Sequence, residues 1–163
     1  MIGPATIVAA AGVLKLYKEC GLTIATAESC TGGLVSAALT AVSGSSAVVD
    51  RGFVTYTNAA KTQSLGVQVS LLNAHGAVSA EVAKAMAEGA LHMSNADVAV
   101  AVTGIAGPGG ATDDKPVGLV YFACAREHMR TLSVEKRFGP MGRDGIREES
   151  VLVALDLLRQ AAG

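Results

Sequence analysis

Asp97-Val98-Ala99-Val100-Ala101-Val102-Thr103 constrains the fold of this chain more than any other stretch. An almost unbroken apolar run of this length is the signature of a central strand covered on both faces. Such a strand requires a layer of helices above the sheet and another below it. The neighbouring sequence offers the helices. Residues from about Ala5 to Cys20 read as an amphipathic helix, with Ile7, Val8, Ala11, Leu14 and Tyr17 on one stripe and Gly21 as its stop. Leu22 to Ala27 reads as a short strand, and Gly32 to Leu39 as a second helix broken by Ser43-Gly44-Ser45-Ser46.

Ala47 to Thr57 is rich in Val, Phe, Tyr and Thr and reads as a strand. Asn58 is expected to cap a short helix that carries Lys61 and ends near Gly66. Val69 to Asn73 fits a single helical turn. Ser79 then caps an alanine-rich helix expected to bury Val82, Met86, Ala90 and Met93. After the central strand, Gly104 to Pro116 is a glycine- and proline-rich loop. Val117 to Ala125 and Met129 to Phe138 predict an antiparallel hairpin. A last helix, from about Arg143 to Gln160, buries Ile146, Val151, Ala154, Leu155 and Leu158. The expected architecture is a three-layer α/β/α sandwich around a mixed, mostly parallel sheet of about five or six strands, one of them antiparallel.

Residues 1–163 are expected to form one domain, without repeat or linker. Half of the residues are hydrophobic but only six are Phe or Tyr and none is Trp, so the core is built from Ala, Val, Leu and Ile. The formal net charge of −1 leaves no electrostatic footprint for nucleic acid or an anionic membrane. Cys20, Cys30 and Cys124 form neither a disulfide framework nor a metal-binding pattern, which argues for a reducing cytoplasm. Met1 to Val13 is apolar but lacks the basic start of a secretory leader, and no apolar run reaches the roughly 20 residues of a bilayer span. The first helix could pack on another subunit, making a homo-oligomer, or on its own domain.

Three polar clusters fall at predicted strand ends: Glu28 to Gly33, Tyr56 to Lys61, and Thr103 to Lys115. Carboxyl ends of neighbouring parallel strands converge on one crevice, so Ser29, Tyr56, Lys61 and Thr103 can meet there. Serine needs a base within about 3 Å to act as a nucleophile. His75, His92 and His128 sit in surface contexts, whereas Lys61 follows a hydrophobic strand, where burial would lower its pKa. Taken singly, these residues have plainer readings. Ser29 also suits a helix cap, Lys61 an exposed helix position and Tyr56 a strand-end aromatic. Cys30 beside Glu28 and Lys61 matches the residue types of a thiolate amidase, or else is a small buried hydrophobe. The loop from Thr103 to Gly110 can cradle an anion but matches no nucleotide-cofactor fingerprint. Arg143 and Arg147, one helical turn apart, could clamp a phosphate or lie on a solvated face.

The ordered set of motifs resembles the CinA C-terminal domain family over nearly the whole chain. Its carriers are Ala27-Glu28-Ser29-Cys30-Thr31-Gly32-Gly33, Tyr56-Thr57-Asn58 with Lys61 and Leu65-Gly66-Val67, and Gly76-Ala77-Val78-Ser79. Further on come Thr103-Gly104-Ile105-Ala106-Gly107-Pro108, Lys115-Pro116-Val117-Gly118, and Arg143 with Ile146-Arg147. Phe138-Gly139-Pro140-Met141-Gly142-Arg143 departs from the family's Gly-Asp-Arg entry to the last helix. The resemblance implies metal- and cofactor-free hydrolysis of the carboxamide of nicotinamide mononucleotide to nicotinic acid mononucleotide and ammonia, in pyridine-nucleotide recycling. It implies Ser29 as nucleophile, Lys61 as base and Tyr56 as its assistant. Thr103, Gly104 and Gly107 would line the substrate site and Arg143 would meet the phosphate, with Arg147 and Glu28, an orienting carboxylate, grouped among the substrate-binding residues and Thr31, Gly32 and Gly33 as the oxyanion cradle. The competing expectation is a non-catalytic nucleotide-binding or competence- and damage-related regulatory module.

Overall fold

The computed structural model describes residues 2–163; Met1, the first residue of the stretch read for a leader, lies outside them. In chain order the elements are α1 (Pro4–Cys20), β1 (Ile24–Glu28), α2 (Leu34–Thr40), β2 (Val49–Val54), α3 (Asn58–Leu65), α4 (Val69–His75) and α5 (Ala80–His92). There follow β3 (Val98–Gly104), β4 (Leu119–Arg126), β5 (Leu132–Arg137) and α6 (Gly142–Ala162). The five strands form one sheet in the order β2-β1-β3-β4-β5. β1 pairs in parallel with β2 and with β3, while β4 is antiparallel to both β3 and β5. Four strands therefore run one way and β4 alone runs back, as the hairpin signal predicts.

The two faces of the sheet are chemically distinct because side chains alternate along each strand. Ile24, Val98, Val100, Val102, Val120, Phe122 and Cys124 point to one side and pack with α1, α2 and α6. Ala25, Ala27, Ala99, Ala101, Ala123 and Ala125 point to the other, under α5. The Val-Ala repeat of the central strand thus sorts large residues to one layer and small ones to the other. The alanine face lets α5 lie close to the sheet, burying Val82, Ala83, Met86, Ala87 and Ala90. Close packing continues on the outer side of α5, where a methyl group added at Gly89 would overlap the carbonyl oxygen of Leu65. Gly89→Ala is therefore expected to cost about 1–3 kcal/mol of stability, read as a lower urea midpoint at unchanged slope. A midpoint equal to that of the unsubstituted protein would show that α3 and α5 can separate freely.

Several local expectations need correction. Val8 is 72% exposed and Met93 48% exposed, although both were assigned to buried stripes. The buried side of α1 is Thr6, Ala10, Val13, Leu14 and Tyr17. This helix is apolar around much of its circumference, so composition does not mark the face that the Tyr17 hydroxyl fixes by donating to the Leu158 carbonyl of α6 at 2.7 Å. Met93 lies just past the end of α5, as its C-cap. The cap of α3 is Thr57, whose hydroxyl accepts from the Ala60 N–H at 3.0 Å, and Asn58 is already helical. Among the described residues, no helix is long and apolar enough to cross a membrane.

Candidate active site

The sheet order places the site. From β1 the chain moves to β2 through α2 on one face, and from β2 to β3 through α3, α4 and α5 on the other. The carboxyl end of β1 is thus a point where successive connections diverge, the place where open α/β sheets leave a crevice. Ser29 is the first residue beyond β1. Its N–H donates to the Val102 carbonyl of β3 at 2.9 Å, and its carbonyl accepts from the Gly32 N–H at 3.0 Å. Gly32 and Gly33 take left-handed conformations, with φ of 59° and 102°, to turn the chain sharply into α2. Glycine reaches these conformations without the steric cost other residues meet.

Lys61 lies one turn into α3, and the short link from β2 swings it under the Ser29 turn. Its side chain is 1% exposed. Its Nζ donates to Ser29 Oγ at 3.0 Å and to the Thr55 carbonyl at 2.8 Å. Burial pushes its pKa down from 10.5 to about 8, because the surroundings solvate an ammonium poorly; the nearby Cys30 partly opposes this. Near pH 8 the amine keeps its bond to Thr55 and can turn its lone pair toward the Ser29 hydroxyl. The Thr55 carbonyl is a partner that the sequence did not disclose, since a backbone acceptor carries no residue signature.

A cavity of about 300 Å³ opens onto this pair. Ser29, Lys61, Thr103, Gly104, Gly107 and Arg143 are among its lining residues, together with Tyr56 at the rim, Asn58, and Ala77-Val78. The volume lies at the lower end of the range for small-molecule sites. The Thr103 hydroxyl donates to the Ala77 carbonyl at 2.8 Å, tying β3 to the segment before α5. Arg143, from the first turn of α6, reaches across the mouth. It donates to the Gly107 carbonyl at 2.7 Å and to the Tyr56 hydroxyl at 3.1 Å. Tyr56 is 58% exposed, and its hydroxyl meets Arg143 instead of Lys61.

The remaining expected site residues stand outside the cavity lining. Glu28 is 1% exposed and turns toward α2, accepting from the N–H groups of Val35 at 2.8 Å and Ser36 at 3.1 Å. Arg147 donates to the carbonyls of Cys30 and Thr31, each at 3.2 Å. Thr31 is fully buried, and the Gly32 N–H is already committed to Ser29. Thr31, Gly32 and Gly33 thus shape the turn, and none of them lines the cavity. Cys30, unlike these, lines the same cavity as Ser29 and Lys61, but it is only 6% exposed, and burial raises its thiol to about 11, which keeps it protonated near neutral pH. The three histidines lie away from the cavity. Ile105, Ala106 and Gly110, from the glycine-rich loop, also line it. Among the described residues, no group of three or more His, Cys, Asp or Glu is arranged to hold a metal ion.

A family model described as the CinA C-terminal domain matches residues 7–162. A CinA-like protein of Geobacter sulfurreducens is 52% identical over 148 residues, covering 91% of this chain and 35% of the relative. A putative competence-damage inducible protein of Symbiobacterium thermophilum is 53% identical over 153 residues, covering 90% of this chain and 36% of the relative. The chain thus spans about a third of the length of these curated relatives. Among solved structures, the competence/damage inducible protein CihA of Agrobacterium tumefaciens is 48% identical with a TM-score of 0.98, covering 100% of this chain and 99% of the other. A CinA superfamily protein of Klebsiella pneumoniae is 33% identical with a TM-score of 0.91, covering 96% and 97%.

Proposed function

The chain belongs to the CinA C-terminal domain family, and from that premise we propose that it is an amidohydrolase acting on the carboxamide of nicotinamide mononucleotide. The observation that carries this reading is the 3.0 Å contact between Ser29 Oγ and the Nζ of a lysine that is 1% exposed. A buried lysine on an ordinary structural duty would be expected to pair with a carboxylate. Lys61 has a serine hydroxyl and one backbone carbonyl instead. A hydroxyl beside an amine that begins to lose its proton near pH 8 can act as a nucleophile with its base.

In the proposed reaction, Ser29 Oγ attacks the carboxamide carbon as its proton passes to Lys61 Nζ. The carbon–nitrogen bond of the tetrahedral intermediate then breaks. Lys61 returns the proton to the leaving nitrogen, which departs as ammonia and leaves an acyl ester on Ser29. Water enters, gives a proton to Lys61 and attacks the ester. Carboxylate release restores the serine hydroxyl with the proton held on Lys61. Ala106, Gly107, Gly109 and Gly110 line the same cavity, and their backbone N–H groups are the source of oxyanion donors in this reading.

Arg143 is assigned the phosphate of the nucleotide. Its guanidinium has five N–H donors, two of which are used by Gly107 and Tyr56, and the remainder can meet an anion. Arg143→Ala is accordingly expected to raise KM for nicotinamide mononucleotide by about 10- to 100-fold, as for the loss of a charge-assisted contact of about 1.5–3 kcal/mol. Nicotinamide without its ribose phosphate should show almost no such difference. An equal loss with both substrates would mean that Arg143 supports the loop and not the phosphate. The reaction is assigned to the cytoplasm, with a small nucleotide as the partner. A homo-oligomer through α1 would use the exposed Val8, with Ala5 and Ala11 also exposed on that helix.

A further inference from the structure

We infer that Glu28 and Arg147 are positioning residues that hold the Ser29 turn from outside the cavity, an inference that rests on the amidohydrolase reading above. The N-cap of α2 is Gly33, which has no side chain to satisfy the first N–H groups of the helix. Glu28 fills that duty from seven and eight residues upstream, through its two bonds to Val35 and Ser36. The bonds close residues 28–35 into a ring with Ser29 at its start. The Thr26 hydroxyl leans on the same carboxylate at 3.4 Å and contacts Ser36 Oγ. Among the described residues no Lys or Arg side chain bonds to Glu28, and helix N–H groups and a hydroxyl hold its buried carboxyl.

Arg147 acts on the opposite edge of the ring. Its fork takes the Cys30 and Thr31 carbonyls, the two that project outward where the turn leaves Ser29. Arg147 lines a second cavity of about 290 Å³ with Asp144, Glu148 and Thr6, on the far side of the turn from Lys61. Neither Glu28 nor Arg147 lines the cavity that holds Ser29 and Lys61. Together they fix where Oγ stands relative to Nζ. A misplacement of about 1 Å between reacting groups can cost about 10²-fold in rate.

The test uses the whole chain as Glu28→Gln, Arg147→Ala and Arg147→Lys, with two readouts. One is kcat and KM for nicotinamide mononucleotide. The other is the rate at which a small fluorophosphonate labels Ser29, followed by intact mass. Glu28→Gln keeps the shape but turns one acceptor into a donor facing an N–H. Glu28→Gln and Arg147→Ala are expected to lower kcat and the labelling rate together by about 10²-fold. KM should stay within about threefold, and the acid limb should remain near pH 8. Arg147→Lys, which reaches one carbonyl at a time, should recover about tenfold. Wild-type kcat and labelling in Glu28→Gln and Arg147→Ala would overturn the inference. So would a raised KM at unchanged kcat, which would mean substrate contact, or loss of the folded circular-dichroism signal in both Glu28→Gln and Arg147→Lys. Labelling of unsubstituted protein without ammonia release would refute the amidohydrolase reading, while the labelling rates would still decide the positioning role.

Discussion

Ser29→Ala is expected to reduce ammonia release from nicotinamide mononucleotide by about 10⁴- to 10⁶-fold in kcat, the scale seen when an enzyme loses its covalent nucleophile. The fold should survive. Among the described residues the only side-chain partner of Ser29 Oγ is Lys61, so the substitution removes one hydrogen bond worth about 1 kcal/mol and leaves Nζ its bond to Thr55. Cys30 cannot take over in this account. It borders the cavity, but it is 6% exposed, its thiol is pushed up to about 11, and its side chain packs into the core cluster. Cys30→Ala should therefore keep turnover within about tenfold, as expected for truncation of a small buried side chain. The reverse pattern, activity in Ser29→Ala and none in Cys30→Ala, would make the thiolate the attacking group.

Lys61→Met is expected to abolish turnover and at the same time to stabilise the protein. Removal of a general base and proton donor costs about 10²- to 10⁴-fold, and more where one residue serves both half-reactions. The stability effect follows from proton linkage. In the folded protein Lys61 loses its proton near pH 8, against 10.5 for an unperturbed lysine. Between those values the unfolded chain binds more protons than the folded one, so stability rises with pH across that window. Below pH 8 the folded protein carries the whole cost of a buried ammonium, about 3 kcal/mol from the size of the shift. Methionine is nearly isosteric and removes this cost, though it deprives the Thr55 carbonyl of its donor, which returns about 1 kcal/mol. A net gain of about 1–3 kcal/mol is expected at pH 7, shrinking toward pH 10. Urea unfolding at the two pH values measures it. If the proposed reaction holds, the unsubstituted protein should show kcat/KM falling about tenfold per pH unit below pH 8, as Lys61 takes up its proton. A flat profile down to pH 6 would remove Lys61 as the base.

These two residues also show what sequence can and cannot disclose. Ser29 and Lys61 were legible together because each ends a parallel strand or follows one closely, and parallel strands bring their carboxyl ends to one edge. The fold was legible for a related reason. The alternation Val98-Ala99-Val100-Ala101-Val102 carries both the double burial of β3 and the sorting of large and small residues between the helical layers. Direction of a side chain within a turn was not legible. Sequence groups Glu28, an orienting carboxylate, and Arg147, a phosphate clamp or a solvated side chain, with the substrate residues because they are charged and sit in site motifs, and does not show what either one orients. Their partners are backbone groups of α2 and of the Ser29 turn, placed by two left-handed glycines whose exact path leaves no residue pattern. For the same reason Thr31 to Gly33 could be nominated as oxyanion donors when the Gly32 N–H is spent within the turn. Helix faces failed where apolarity was not confined to one side, as at Val8 of α1.

A coupled ammonia assay with nicotinamide mononucleotide and unsubstituted protein, at pH 8.5 and in the presence of chelator, with the nucleotide product identified by mass, decides whether the chain is an amidohydrolase. One equivalent of ammonia is expected for each nicotinic acid mononucleotide formed, at a rate unaffected by the chelator. Nucleotide that binds but is recovered intact, with no ammonia from it or from a broad panel of other amides, would rule out the amidohydrolase and leave a non-catalytic nucleotide-binding module in its place.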